Sequence, residues 1–183
     1  MSEVSDGGSH VEVFLSYSSR DQDYVHPLGR LLKASGSRPF VDVFDLEFEQ
    51  DWAKQIDRAI HSCKRVLVFW TRHAAESQQV EREWRLALSI GKPVVPVLMA
   101  REPQLPSELG RFHGVRLFQI FDQVFSGGGS FGVIPSARTM REFGRLASQE
   151  FACAAPGLIP TSKADSWDEN LWRAMVAVRS LGG

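Results

Sequence analysis

Residues 11–19 read V-E-V-F-L-S-Y-S-S and run into Arg20-Asp21 before a helical pattern begins. A short apolar strand thus empties into four hydroxyls, those of Ser16, Tyr17, Ser18 and Ser19. In an open α/β sheet, ligands bind outside the carboxyl ends of the strands and beside helix N-termini. The stretch therefore reads both as the first strand of such a sheet and as the first wall of a candidate site.

Strand and helix patterns alternate from there. Val25, Leu28, Leu31 and Leu32 recur at helical spacing until Gly36 stops them. Pro27 fits if that helix starts near Tyr24 with Asp23 as its cap, because the first four N–H groups need no intrahelical partner. Strand two is expected over Pro39–Phe44, followed by an acidic loop from Asp45 to Asp51. A second helix presents Trp52, Ile56, Ala59 and Ile60 on one face. Strand three, Arg65–Trp70, is a continuous apolar run, as in a central strand covered on both sides. A third helix spans about Gln78–Ile90, strand four Pro93–Met99 and strand five Val115–Phe121. This alternation predicts an α/β fold: a flavodoxin-like five-stranded parallel sheet, order 2-1-3-4-5, with helices on both faces. Its topological switch point lies between strands one and three, so the loops after those strands should frame the site.

A chain of 183 residues is sized for one domain, burying roughly 70% of its unfolded surface. Residues 1–10 read as a disordered lead-in without the basic and apolar regions of a signal peptide, and 11–183 as a single domain. Within it, 122–164 reads as an insertion or extra helix before the last helix. It comprises a flexible Ser126–Ser130 loop, a helix over Ala137–Phe151 and a linker over Pro156–Lys163. Ser166-Trp167-Asp168-Glu169 has capping-box spacing and opens a helix with Trp167, Leu171, Met175 and Val178 on one face. With 21 basic against 22 acidic residues, the net charge of −1 gives no footprint for a nucleic-acid partner. No apolar stretch approaches the roughly 18 residues that cross a bilayer, so no membrane partner is expected, and with no export signal a cytoplasmic location is the default expectation. Cys63 and Cys153 read as two buried thiols rather than a disulfide.

On the third helix, Val80, Trp84, Leu86, Ala87, Leu88 and Ile90 form one apolar arc, with Arg82, Arg85 and Ser89 opposite. Glu83 falls inside the apolar arc, whereas Glu81 sits on its rim. A carboxylate facing a core is either paired or working, because burying it unpaired costs several kcal/mol. Two readings stay open: a satisfied ion pair or a carboxylate reaching along the helix edge, or a site carboxylate at the switch point. Ser18, Ser19 and Asp21 likewise either cap the first helix or line a site. The acidic loop is a solvated turn or, because Phe44, Leu46, Phe48 and Trp52 interleave with its charges, a contact surface. His10, His26, His61, His73 and His113 show no metal-ligand spacing, and the sequence has no P-loop or GxGxxG.

Together these features resemble a TIR (Toll/interleukin-1 receptor) domain of the bacterial type over about Glu12–Ile120. The resemblance rests on F-L-S-Y-S-S-R-D after strand one, V-D-V-F-D-L-E before a loop closed by Trp52, and S-Q-Q-V-E-R-E-W on helix three. G-K-P-V-V-P-V-L and L-P-S-E-L-G-R-F-H-G-V follow in order. Many such domains cleave NAD⁺ at the nicotinamide–ribose bond with a glutamate on the third helix, and the Ser77…Glu83 spacing makes Glu83 the catalytic candidate. The resemblance implies a substrate pocket drawn from Ser16, Tyr17, Ser18, Phe44, Asp45, Leu46, Ser77 and Gln79. It also implies an assembly loop with Glu47, Phe48, Glu49, Gln50 and Trp52, which contacts neighbouring protomers. NAD⁺ enters as substrate, with no cofactor or metal, and other TIR domains are the implied partners.

Two departures stand out. The family often has a tryptophan where this chain has Gln79, and a Pro-Gly or similar small pair where it has Phe48-Glu49. The expected function is an NAD⁺ glycohydrolase giving ADP-ribose or a cyclic variant, in immune signalling or antiphage defence. The alternative is a non-catalytic TIR adaptor acting by homotypic assembly. A phospho-acceptor receiver domain would need an aspartate at the end of strand three, where Trp70-Thr71 stands.

Overall fold

The computed structural model describes residues 12–34, 36–41, 52–125 and 136–158. Strands β1 (Val13–Ser16), β2 (Pro39–Val41), β3 (Arg65–Trp70), β4 (Val94–Leu98) and β5 (Val115–Arg116) form one sheet. Their order is β2-β1-β3-β4-β5, and every neighbouring pair is parallel. The expected architecture is therefore observed, with the switch point between β1 and β3. In that pair, Leu15 lies opposite Leu67 and Ser16 opposite Val68.

Two cores cover the two faces. On one face, Val13 and Leu15 of β1 pack with α1 (Gln22–Ala34), α6 (Leu117–Phe125) and α7 (Ala137–Ala154). On the other, Phe14 packs with α2 (Trp52–Ser62), α3 (Arg72–Ala75), α4 (Gln78–Ser89) and α5 (Ser107–Gly110). The pleat explains the split, since successive strand side chains point to opposite faces. β3, buried from Val66 to Trp70, feeds both cores, with Leu67 and Phe69 in the first and Val66, Val68 and Trp70 in the second.

Several boundaries differ from expectation for identifiable reasons. α1 begins at Gln22, directly after a 3-10 turn at Ser19–Asp21, so Asp23 lies in its first turn and Pro27 inside it. A proline there removes one hydrogen bond and costs about 3 kcal/mol. Burial of Val25, Leu28, Leu31 and Leu32 offsets it, at roughly 1.5–3 kcal/mol each. The last strand is only Val115–Arg116; Leu117–Phe121, expected as strand, opens α6. Leu117, Ile120, Phe121 and Val124 follow the i, i+3, i+4, i+7 rule of a helix face, a period that a short apolar run conceals. The four-residue α3 after β3 escapes a periodicity search because it is a single turn.

Both cysteines are free, but only Cys63 is buried; Cys153 is exposed. Cys153 lies on the side of α7 away from Phe143, Ala147 and Phe151, which fill the first core. Gly114 sits where a Cβ would come within 2.8 Å of the Pro96 carbonyl oxygen, so glycine lets β5 close on β4. The acidic loop, the Ser126–Ser130 stretch and the capping box at Ser166 lie outside the described residues.

Candidate functional site

Ser16 is the last residue of β1 and shares the pleat direction of Phe14, toward α4. Its side chain is wholly buried. Helix α4 starts at Gln78 because the Ser77 hydroxyl accepts the Val80 N–H at 3.3 Å. It ends where Gly91, at φ +70°, lets its N–H reach Leu88 O and that of Lys92 reach Ala87 O. Between these ends Val80, Trp84 and Ala87 face the sheet, and Glu83 faces it with them at 3% exposure.

Two donors hold the Glu83 carboxylate. Ser16 Oγ donates to Oε2 at 2.6 Å, and Gln79 Nε2 donates to Oε1 at 2.7 Å. A hydrogen bond to a charged group contributes about 1.5–3 kcal/mol, enough for two to offset much of the cost of burying the anion. A donor on each oxygen also fixes the carboxylate plane. Glu83 thus sits at the switch point, aimed at the end of β1.

The remaining candidates divide. Ser18 is buried, and its hydroxyl accepts the Arg20 N–H at 3.4 Å, so it caps the 3-10 turn; Ser77 caps α4. Tyr17 belongs to the opposite core, and its hydroxyl pairs with His26 Nε2 at 3.1 Å. Their rings meet edge to face at 5.9 Å. Burial, followed by the Arg30 charge, holds the His26 imidazole below its usual range. Phe44, Asp45, Leu46, Glu47, Phe48, Glu49 and Gln50 fall outside the described residues. Trp52, at the start of α2, is 44% exposed while Ile56, Ala59 and Ile60 carry that helix's buried face.

One cluster was not singled out from the sequence. Asp21, 1% exposed, accepts hydrogen bonds from Thr71 Oγ1 at 2.5 Å and from His73 Nδ1 at 2.7 Å. The Thr71 oxygen also accepts the Ala74 N–H at 3.0 Å and so caps α3. The loops after β1 and β3 are thereby locked together. The signal was present in Thr71-Arg72-His73 directly after a central strand, but the pairing with Asp21 spans 50 residues.

Among the described residues no group of three or more His, Cys, Asp or Glu could hold a metal ion, and no helix is long and apolar enough to cross a membrane. A cavity of about 300 Å³ between α6 and α7, lined by Gln123, Arg138, Glu142 and Leu146, belongs to the helices of the other face.

No curated protein matches the chain. Among solved structures it is similar to the TIR domain of the Toll-related receptor TRR-2 from Hydra magnipapillata, with 22% identity and a TM-score of 0.49. That match covers 54% of this chain and 78% of the Hydra chain. The family model described as TIR domain matches residues 13–126, well over half of the sequence, from β1 to just beyond α6. The chain therefore belongs to the TIR domain family.

Proposed function

We propose that this TIR domain is an NAD⁺ glycohydrolase that releases nicotinamide and leaves ADP-ribose or a cyclic variant. The observation that carries the reading is the buried Glu83 carboxylate, oriented by Ser16 and Gln79 at the switch point of the sheet. Nicotinamide leaves a pyridinium as a neutral base, so the step requires no general acid. What remains is an oxocarbenium-like ribose, which a fixed carboxylate stabilises electrostatically, as in glycoside hydrolysis. Glu83 holds the ribose hydroxyls and the developing positive charge, while Ser16 and Gln79 keep its oxygens from turning away. Water attack then gives ADP-ribose and releases a proton to solvent; attack by an adenine nitrogen or a ribose hydroxyl oxygen of the same molecule gives a cyclic product. The bacterial type, the cytoplasmic setting, immune signalling or antiphage defence, and self-association all follow the family resemblance.

Nicotinamide release by the purified protein at high concentration tests this. Glu83→Gln keeps the shape and removes the charge, and is expected to lower the rate a hundredfold or more, on the order of other electrostatic stabilisers. No release by the unsubstituted protein, or an unchanged rate in Glu83→Gln, overturns the reading. A second reading, a non-catalytic adaptor, is favoured by Trp52, a large apolar side chain exposed at the start of α2. Loss of self-association in Trp52→Ala, with no phenotype for Glu83→Gln, would support that alternative.

A further inference from the structure

His73 lies at the start of the chain beyond β3, with Nδ1 bound to the buried carboxylate of Asp21 and its side chain 27% exposed. The two ring nitrogens sit on opposite sides of the imidazole, so Nε2 points away from Asp21. Among the described residues Nε2 has no protein partner. Asp21 is itself fixed by Thr71, so a chain of hydrogen bonds holds the ring in one orientation. Arg20 and Arg72, both exposed, occupy the same two loops, with Glu76 at 3.9 Å from Arg20 as the opposing charge.

Register places this ring relative to Glu83. Ser16, which holds Glu83, lies opposite Val68, and Thr71 follows three residues later in extended backbone. Three extended residues span about 10 Å. That rise of the backbone, from the level of Ser16 to Thr71, is comparable to the span from the anomeric carbon across the ribose to the phosphates of a dinucleotide.

We propose that His73, oriented by Asp21, is an anion-binding residue that takes the pyrophosphate of a dinucleotide lying across the carboxyl ends of β1 and β3. The assignment rests on the glycohydrolase reading for the identity of the ligand, and on the Asp21–Thr71–His73 geometry for the site.

Imidazole resonances of the full chain, assigned for His73 by their loss in His73→Ala, are followed by NMR during titration. The probes are ADP-ribose, inorganic pyrophosphate and nicotinamide riboside, which has no phosphate. ADP-ribose is expected to shift the His73 resonances, in Glu83→Gln as in the unsubstituted protein, and nicotinamide riboside is expected not to. A shift with inorganic pyrophosphate alone points to a free-phosphate site and overturns the dinucleotide assignment. In turnover, His73→Gln is expected to lower the ratio of kcat/KM for NAD⁺ to that for nicotinamide riboside about tenfold, the loss of one charge-assisted contact. The ratio within one variant is insensitive to partial misfolding. Glu83-dependent nicotinamide release with no His73 shift and an unchanged ratio overturns this subsite and leaves the enzyme standing. A His73 shift without release overturns the enzyme and supports the subsite; neither shift nor release overturns both.

Discussion

The Ser16 hydroxyl donates to Glu83 Oε2 at 2.6 Å across 67 residues of chain, joining the last residue of β1 to the core face of α4. Both groups are buried, so each is the other's replacement for water. Ser16→Ala leaves a carboxylate oxygen short of a donor and is expected to cost about 1–3 kcal/mol. In Glu83→Gln the charge that made this loss expensive is absent, so adding Ser16→Ala should cost less there than alone. Urea unfolding of the two single variants and the double variant measures the coupling. Strict additivity would show that the two side chains do not interact in solution.

Gln79 stands where the family often has tryptophan, and its amide donates to the other oxygen of Glu83. Gln79→Glu replaces that donor with a second carboxylate. Like charges this close raise the proton affinity of the pair, so the folded state binds more protons than the unfolded one. The variant should therefore be least stable near neutral pH and recover as pH falls. Urea midpoints at about pH 5 and about pH 7.5, compared with the unsubstituted protein, check the sign. A deficit independent of pH would show that the new carboxylate has turned to solvent.

His26 carries a pH dependence of its own. Burial, then Arg30, lowers its affinity for a proton, with Asp23 opposing, and its ring meets the Tyr17 hydroxyl. A lowered folded value means that the unfolded chain takes up the proton first. Stability is full above the ordinary value of 6.5 and is lost as pH falls toward the folded value. The melting temperature of the unsubstituted protein should drop over that window more steeply than that of His26→Gln. Equal slopes would place the titration elsewhere.

Local periodicity carried much of this fold. β3 was legible to the residue because a run buried on both sides has no polar interruption from Val66 to Trp70 after the opening Arg65. The burial of Glu83 was legible for a related reason: position on a helix wheel depends only on spacing along one element. Val115–Phe121 misled because two residues of strand pass directly into a helix, and so short an apolar run satisfies both periods.

Which groups meet was decided only in three dimensions. That Ser16 holds Glu83 and that Asp21 gathers Thr71 and His73 depend on β1 lying parallel beside β3, and that Tyr17 turns to His26 depends on α1 packing on the far face. The sequence by itself determined which face of each strongly periodic element leaves water, since that follows from the element's own period. The tertiary structure alone decided their partners, because a hydrogen bond needs two atoms within about 3 Å and no spacing rule reaches across 67 residues.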